Sequence, residues 1–127
     1  MYPGKLKYSK EHHWIELNDS NATLGISYYY QEQLKEVIYV EFPEAGKRIN
    51  INDTIVTIET SKAVVDIPTP LTCEILETNK NLLENPNLIK EDNYGEGWIA
   101  KIKVENQAEL ENFLGSEEYK NFIQSEI

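Results

Sequence analysis

The amino-acid sequence predicts a mainly β fold with a helical C-terminal tail. Three observations lead there. The apolar runs are of strand length and are punctuated by Gly, Pro, Asn, Asp and Ser. Two neighbouring runs, one ending at Thr60 and one starting at Ala63, sort their side chains onto two faces if the chain folds back at Ser61-Lys62. Helical patterning is confined to a stretch before Lys35, a turn near Leu82 and the segment after Asn106.

Taken in order, Trp14–Leu17 and Ala22–Ile26 are short strands separated by the turn-forming Asn18-Asp19-Ser20-Asn21. Ser27 can cap a short helix over Tyr28 to Leu34. Val37–Phe42 is a strand, stopped by Pro43 and the turn before Gly46. The fold-back at residues 61 and 62 follows. Thr72–Thr78 is a further strand, and a helical turn falls near Asn81–Glu84. Gly97–Val104 alternates as a late strand does. Asn106 with Glu109 resembles a capping box for a helix through Leu114. Ser116, with Glu117 and Glu118 behind it, starts a last helix that places Tyr119, Phe122 and Ile123 on one face.

The fold-back has a definite register. With Ser61 and Lys62 as the loop, Thr60 lies across from Ala63, Glu59 from Val64, Ile58 from Val65, Thr57 from Asp66 and Val56 from Ile67. One face collects Val56, Ile58, Ala63, Val65 and Ile67. The other collects Thr57, Glu59, Val64 and Asp66. A slip by one residue destroys the sorting. Ser-Lys is not the Asn-Gly type favoured in two-residue loops, so pattern rather than turn propensity sets the register. Lys62 then stands at the apex, pointing away from the core. On spacing alone, an ordinary surface lysine and a functional one are both open readings.

A chain of 127 residues suits one compact domain spanning 1–127 and can build a core without disulfides or a metal. No apolar run approaches the roughly 20 residues that cross a bilayer. The start, MYPGKLKYSKEHHW, carries neither an apolar leader core nor an Arg-rich presequence. The one cysteine, Cys73, precludes an internal disulfide and suits a reducing compartment. The net charge of −10, with no Lys/Arg cluster against it, argues against nucleic acid. It serves solubility or steering toward basic partner surfaces. His12 and His13, as neighbours on a strand, would face opposite ways and do not make a metal site. No nucleophile–base pairing or phosphate loop supports a hydrolase. Tyr28, Tyr29 and Tyr30 are assigned to packing, and Tyr94 and Trp98 to the core.

Glu59-Thr-Ser-Lys-Ala63 resembles the modification motif of lipoyl-bearing domains. Lys10-Glu-His-His-Trp14, Gly25-Ile-Ser27, Gln31-Glu-Gln-Leu34, Tyr39-Val-Glu-Phe-Pro-Glu-Ala-Gly46, Asn85-Pro-Asn-Leu-Ile89 and Tyr94-Gly-Glu-Gly-Trp98 also occur in the order found in the H protein of the glycine cleavage system. The resemblance runs from about Leu6 to the final helix. It implies a lipoyl-domain-like flattened barrel-sandwich hybrid of short strands. It implies lipoate in amide linkage on Lys62, with Glu59 helping the attaching enzyme to recognise the site. A solvated strand glutamate is the alternative for Glu59. The implied role is a non-catalytic carrier, taking an aminomethyl group from glycine decarboxylase (P protein) to aminomethyltransferase (T protein) and being reoxidised by dihydrolipoamide dehydrogenase (L protein). A cytoplasmic monomer, or a mature mitochondrial form, fits that role, with no nucleic acid or membrane as partner.

The same resemblance exposes departures. Cys73 and Lys35 stand where glycine is usual, Asn93 where proline is common, His13 where glutamate is usual, and Ser61 is unusual beside the lysine. If the turn at Cys73 keeps a positive φ, its Cβ costs about 1 kcal/mol. Such departures leave an alternative function open: an H-like lipoate relay or redox adaptor, donating lipoyl groups to other enzymes. Biotinyl domains, whose lysine usually lies between methionines, and 2-oxoacid dehydrogenase lipoyl domains, which lack the Tyr94–Trp98 segment, fit less well.

Overall fold

The structure, a computed structural model, describes residues 1–126. Among these, nine strands form two antiparallel sheets that do not close into a barrel. The larger sheet joins β1 (Lys7–Tyr8), β2 (His13–Asn18), β3 (Asn21–Ile26), β9 (Ala100–Val104), β8 (Cys73–Thr78) and β5 (Arg48–Ile49), in that order. The smaller joins β4 (Val37–Glu41), β6 (Thr54–Thr60) and β7 (Val64–Pro68). The apolar faces of both sheets meet in one core that includes Leu24, Ile26, Val40, Ile55, Ile58, Ile67, Ile75 and Ile102, each almost wholly buried. Each such side chain contributes about 1.5–3 kcal/mol by leaving water.

The predicted strands recur within a residue or two, except that β9 begins at Ala100 rather than Gly97. The dipeptide strands β1 and β5 and the one-turn helix α3 (Leu88–Glu91) lie below the length at which periodicity is legible. Ser27 caps α1 (Tyr28–Gln33) through its hydroxyl, 3.4 Å from the Tyr30 N–H. That helix ends with Leu34 in extended backbone, and Lys35 does not enter the left-handed region, so glycine is not required there. The turn α2 (Asn81–Glu84) sits as expected.

The segment after Asn106 differs from expectation. The expected helix is a 3-10 helix, Gln107–Asn112, and stops short of Leu114. Asn106 does cap it, accepting from the Ala108 N–H at 3.1 Å. The Glu109 carboxylate turns instead to the sheet, accepting from the Thr72 N–H at 2.7 Å and the Thr72 hydroxyl at 3.0 Å. A side chain aimed at the residue before β8 cannot also close the box. The last helix, α4 (Ser116–Glu126), buries Tyr119 and Ile123 as expected.

Cys73 also corrects an expectation. Its φ is not positive, and it is a fully buried residue of β8 within the main core. There is no Cβ strain to relieve, because the residue lies in the strand rather than in the turn before it.

A second cluster forms where the two ends of the chain meet. Leu6, Tyr8, Trp14, Tyr119 and Ile123 form it, with Tyr2, Tyr29, Tyr94 and Trp98 packed around them. Tyr8 and Tyr119 stack at 4.7 Å between ring centroids. Gly25, paired with Trp14 across β2 and β3, leaves room for the indole, which a Cβ there would strike.

Candidate functional site

The β6–β7 hairpin has the predicted register: Glu59 opposite Val64, Ile58 opposite Val65, Thr57 opposite Asp66 and Val56 opposite Ile67. Val56, Ile58 and Ile67 are buried, while Val64 and Asp66 are exposed. Ala63, placed on the inner face by alternation, is exposed because it lies beyond the end of the core. The β4 strand flanks the hairpin, pairing Tyr39 with Glu59 and Val37 with Thr60. Glu59 therefore stands half-buried on the outer face between Tyr39 and Val64, both more than half exposed. Its carboxylate makes no hydrogen bond among the described residues.

The apex is held through its backbone. The Thr60 N–H donates to the Ala63 carbonyl at 2.8 Å and closes the loop. The Thr60 hydroxyl oxygen accepts from the Lys62 N–H at 3.2 Å and the Ala63 N–H at 3.1 Å. The Ser61 N–H donates to the Glu36 carbonyl at 3.0 Å, tying the tip to the segment that leads into β4. The Lys62 side chain is exposed and makes no hydrogen bond or ion pair among the described residues. Sequence reasoning missed the bracing roles of Thr60 and Glu36. A threonine just before a two-residue loop is a known turn signal and points to Thr60, whereas nothing local points to a backbone carbonyl 25 positions away.

The two histidines are not brought to the hairpin tip or to each other's ligands. His12 has φ 76°, so it lies off the strand. Its Nδ1 is 2.7 Å from the Tyr119 hydroxyl and its Nε2 3.3 Å from the Glu126 carboxylate. His13 begins β2 and is buried. Its Nε2 donates to the Pro68 carbonyl at 2.6 Å, which fixes the proton on that nitrogen, so Nδ1 accepts from the Ser9 hydroxyl at 2.7 Å. Burial pushes the His13 imidazole down to about 4, against the opposing pull of the Pro68 carbonyl. No cluster of three or more His, Cys, Asp or Glu side chains is arranged to hold a metal among the described residues.

The other sequence features are structural. Tyr28, Tyr29 and Tyr30 are half-buried. Tyr94 accepts from the Tyr28 N–H at 2.9 Å, and Trp98 packs in the terminal cluster. Asn93 is buried and donates to the Ile26 carbonyl at 2.9 Å, a bond that proline could not make. Gly97 packs against α3, where a Cβ would strike the Leu88 carbonyl. A surface groove of about 400 Å³ lies between Ser9, Glu11, Asn52, Pro70 and Phe113, and neither Lys62 nor Glu59 lines it.

The site is thus a protrusion: a free primary amine on a flexible stem above a braced turn. An amine so placed can take an acyl group in amide linkage and carry it into a partner's cleft, with no wall of its own in the way. The exposed Lys62 amine fits a covalently attached carboxylic-acid arm.

Comparison with known proteins follows the whole chain. A family model described as glycine cleavage H-protein matches residues 6–126. The glycine cleavage system H protein of Bacteroides thetaiotaomicron is 42% identical over 122 residues, covering 96% of this chain and 97% of that one. That of Symbiobacterium thermophilum is 41% identical over 120 residues, covering 94% of each. A crystal structure of a glycine cleavage system H protein from Mycobacterium marinum superposes with a TM-score of 0.81 at 26% identity, covering 98% of this chain and 99% of that chain.

Proposed function

The chain belongs to the glycine cleavage H-protein family, and from that premise we propose that Lys62 is the residue on which it bears lipoate. It is a lipoyl carrier of the glycine cleavage system. The observation that supports Lys62 is its place at the apex of the β6–β7 hairpin, with an exposed, unengaged amine above a braced backbone. When bound, lipoate supplies the sulfur chemistry that accepts an aminomethyl group. The chain supplies position. A long stem on a rigid base concentrates the arm's end at whichever active site is docked. Glu59, beside the base of the stem, is a recognition point for the attaching enzyme.

The chain catalyses no step itself in this reading. Its partners are the glycine decarboxylase, the aminomethyltransferase and dihydrolipoamide dehydrogenase, met in the cytoplasm by a single domain spanning 1–127. No helix among the described residues is long and apolar enough to cross a membrane. A lipoate relay has less support, because the match extends over elements that a mere lipoate acceptor does not need, from α1 to α4.

Intact mass spectrometry tests the assignment. With lipoate, ATP and a lipoate-attaching enzyme, the protein should gain one lipoyl group and Lys62→Arg none. A lipoyl group on the variant, or on another lysine of the unaltered protein, overturns it. Glu59→Ala should be lipoylated more slowly with an unchanged fold. An unchanged rate would leave Glu59 a solvated strand residue. The lipoylated protein should then support exchange of bicarbonate into the carboxyl group of glycine with its own decarboxylase. Failure of that exchange, together with transfer of the lipoyl group to a foreign acceptor domain, would favour the relay.

A further inference from the structure

We infer that Thr60 is a positioning residue for acylation of Lys62, acting through its hydroxyl on the shape of the turn. The inference rests on the assignment of Lys62 as the lipoyl lysine.

Two-residue hairpins usually close with mirror-image turns, which place the first loop residue in the left-handed region and match the twist of the strands. Neither Ser61 nor Lys62 has a positive φ. The turn therefore runs against the strand twist and needs something to hold it. The Thr60 hydroxyl does so, since its oxygen takes the Lys62 and Ala63 N–H groups at 3.2 and 3.1 Å. The hydroxyl donates in turn to the Ala63 carbonyl, 3.1 Å from oxygen to oxygen. The Ser61 N–H is taken from the other side by Glu36. All three amides at the apex are thereby engaged, while Thr60 itself is buried beneath them. The direction in which the Lys62 stem leaves the backbone is set by these bonds, and only the stem is free.

That direction bears on the chemistry. Acylation requires the amine to reach the carbonyl carbon of an activated lipoyl donor, an acyl–phosphate anhydride. The C–N bond forms and the acyl C–O bond breaks. The phosphate group leaves with the bonding electron pair, and the ammonium gives up two protons. An enzyme holding that donor in a cleft accepts the stem from a narrow range of directions. A turn that samples several shapes offers the right one less often.

Initial rates of lipoylation test this on the full chain. Thr60→Val keeps the volume and removes the hydroxyl, and should lower kcat/KM by about tenfold or more. Thr60→Ser keeps the hydroxyl and should stay near the unaltered protein. Acetylation of Lys62 by a small activated ester, which needs no docking, should proceed at the same rate in all three. Undiminished lipoylation of Thr60→Val overturns the inference. So does a serine variant as slow as the valine one, or an acetylation rate that falls in parallel. If the valine variant does not fold, the serine and alanine variants carry the same comparison, hydroxyl present against hydroxyl absent. Absence of lipoylation at Lys62 in the unaltered protein is a separate result, which removes the carrier assignment itself.

Discussion

Cys73 lies in the core, 3.9 Å from the Thr69 hydroxyl, and burial pushes its thiol up to about 11. Two outcomes follow. The thiol should resist alkylation at pH 8 until the protein unfolds. Cys73→Gly should lower stability by about 2 kcal/mol in a urea titration, through a lost side chain and a freer strand backbone. His13 carries a pH dependence whose sign is set by its burial. Unfolded histidine titrates near about 6.5, whereas the folded imidazole is held down to about 4. Between those values the unfolded chain binds a proton that the folded chain refuses. The stability contributed by neutral His13 is full above about 6.5 and is lost as pH falls toward 4, some 3 kcal/mol over the window. His12 is also shifted down, by burial against the opposing pull of Glu126, and adds in the same direction. Urea midpoints at pH 7 and pH 4.5 should fall further in the unaltered protein than in His13→Gln. Equal falls would remove His13 from the account.

At the scale of elements, legibility followed the range of the forces involved. The β6–β7 register was readable because alternation alone distinguishes it from its one-residue slips. Ser27 and α1 were readable because a cap is local. Glu109 was misread because its partner, Thr72, lies 37 positions away, and the local box was the only option the sequence displayed. Glu109→Ala should therefore act on the start of β8. It strands the nearly buried Thr72 N–H, and should cost about 1–3 kcal/mol without changing the helical signal of α4. Of the proposed site, the register that sets Lys62 at the turn and Glu59 on the outer face was legible, whereas the Thr60 and Glu36 bonds that brace the turn were not. Gly97→Ala offers a further check on the segment that distinguishes this chain from simpler lipoyl domains. The obstacle is the Leu88 backbone, which cannot rotate aside, so a loss of about 1–3 kcal/mol is expected.

For the whole molecule, charge is the property that acts at a distance. If the charge of −10 steers docking, encounters with partner enzymes depend on long-range attraction to basic surfaces. Added salt should slow the exchange reaction with the decarboxylase, mainly through the rate of association, since the Debye length shrinks to about 8 Å at physiological ionic strength and about 3 Å at 1 M. Exchange unaffected by salt would assign docking to apolar contact, for which the exposed Tyr39 and Val64 beside Glu59 are available.

The sheets also differ in the distance along the chain that they must close. β6 and β7 are joined by three residues, whereas β3 pairs with β9, placing Leu24 against Ala100, and Tyr8 bridges to Leu114. Loop closure over such spans is slow, and folds dominated by it mature in milliseconds to seconds, while a hairpin forms in roughly microseconds. The β6–β7 hairpin that carries Lys62 can therefore form early, as can the β2–β3 hairpin that precedes it, and its brace at Glu36 is synthesised before it. The larger sheet waits for β9, and the terminal aromatic cluster waits for the last helix. During synthesis, the turn that presents Lys62 can be complete while the body that will carry it about is still unfinished.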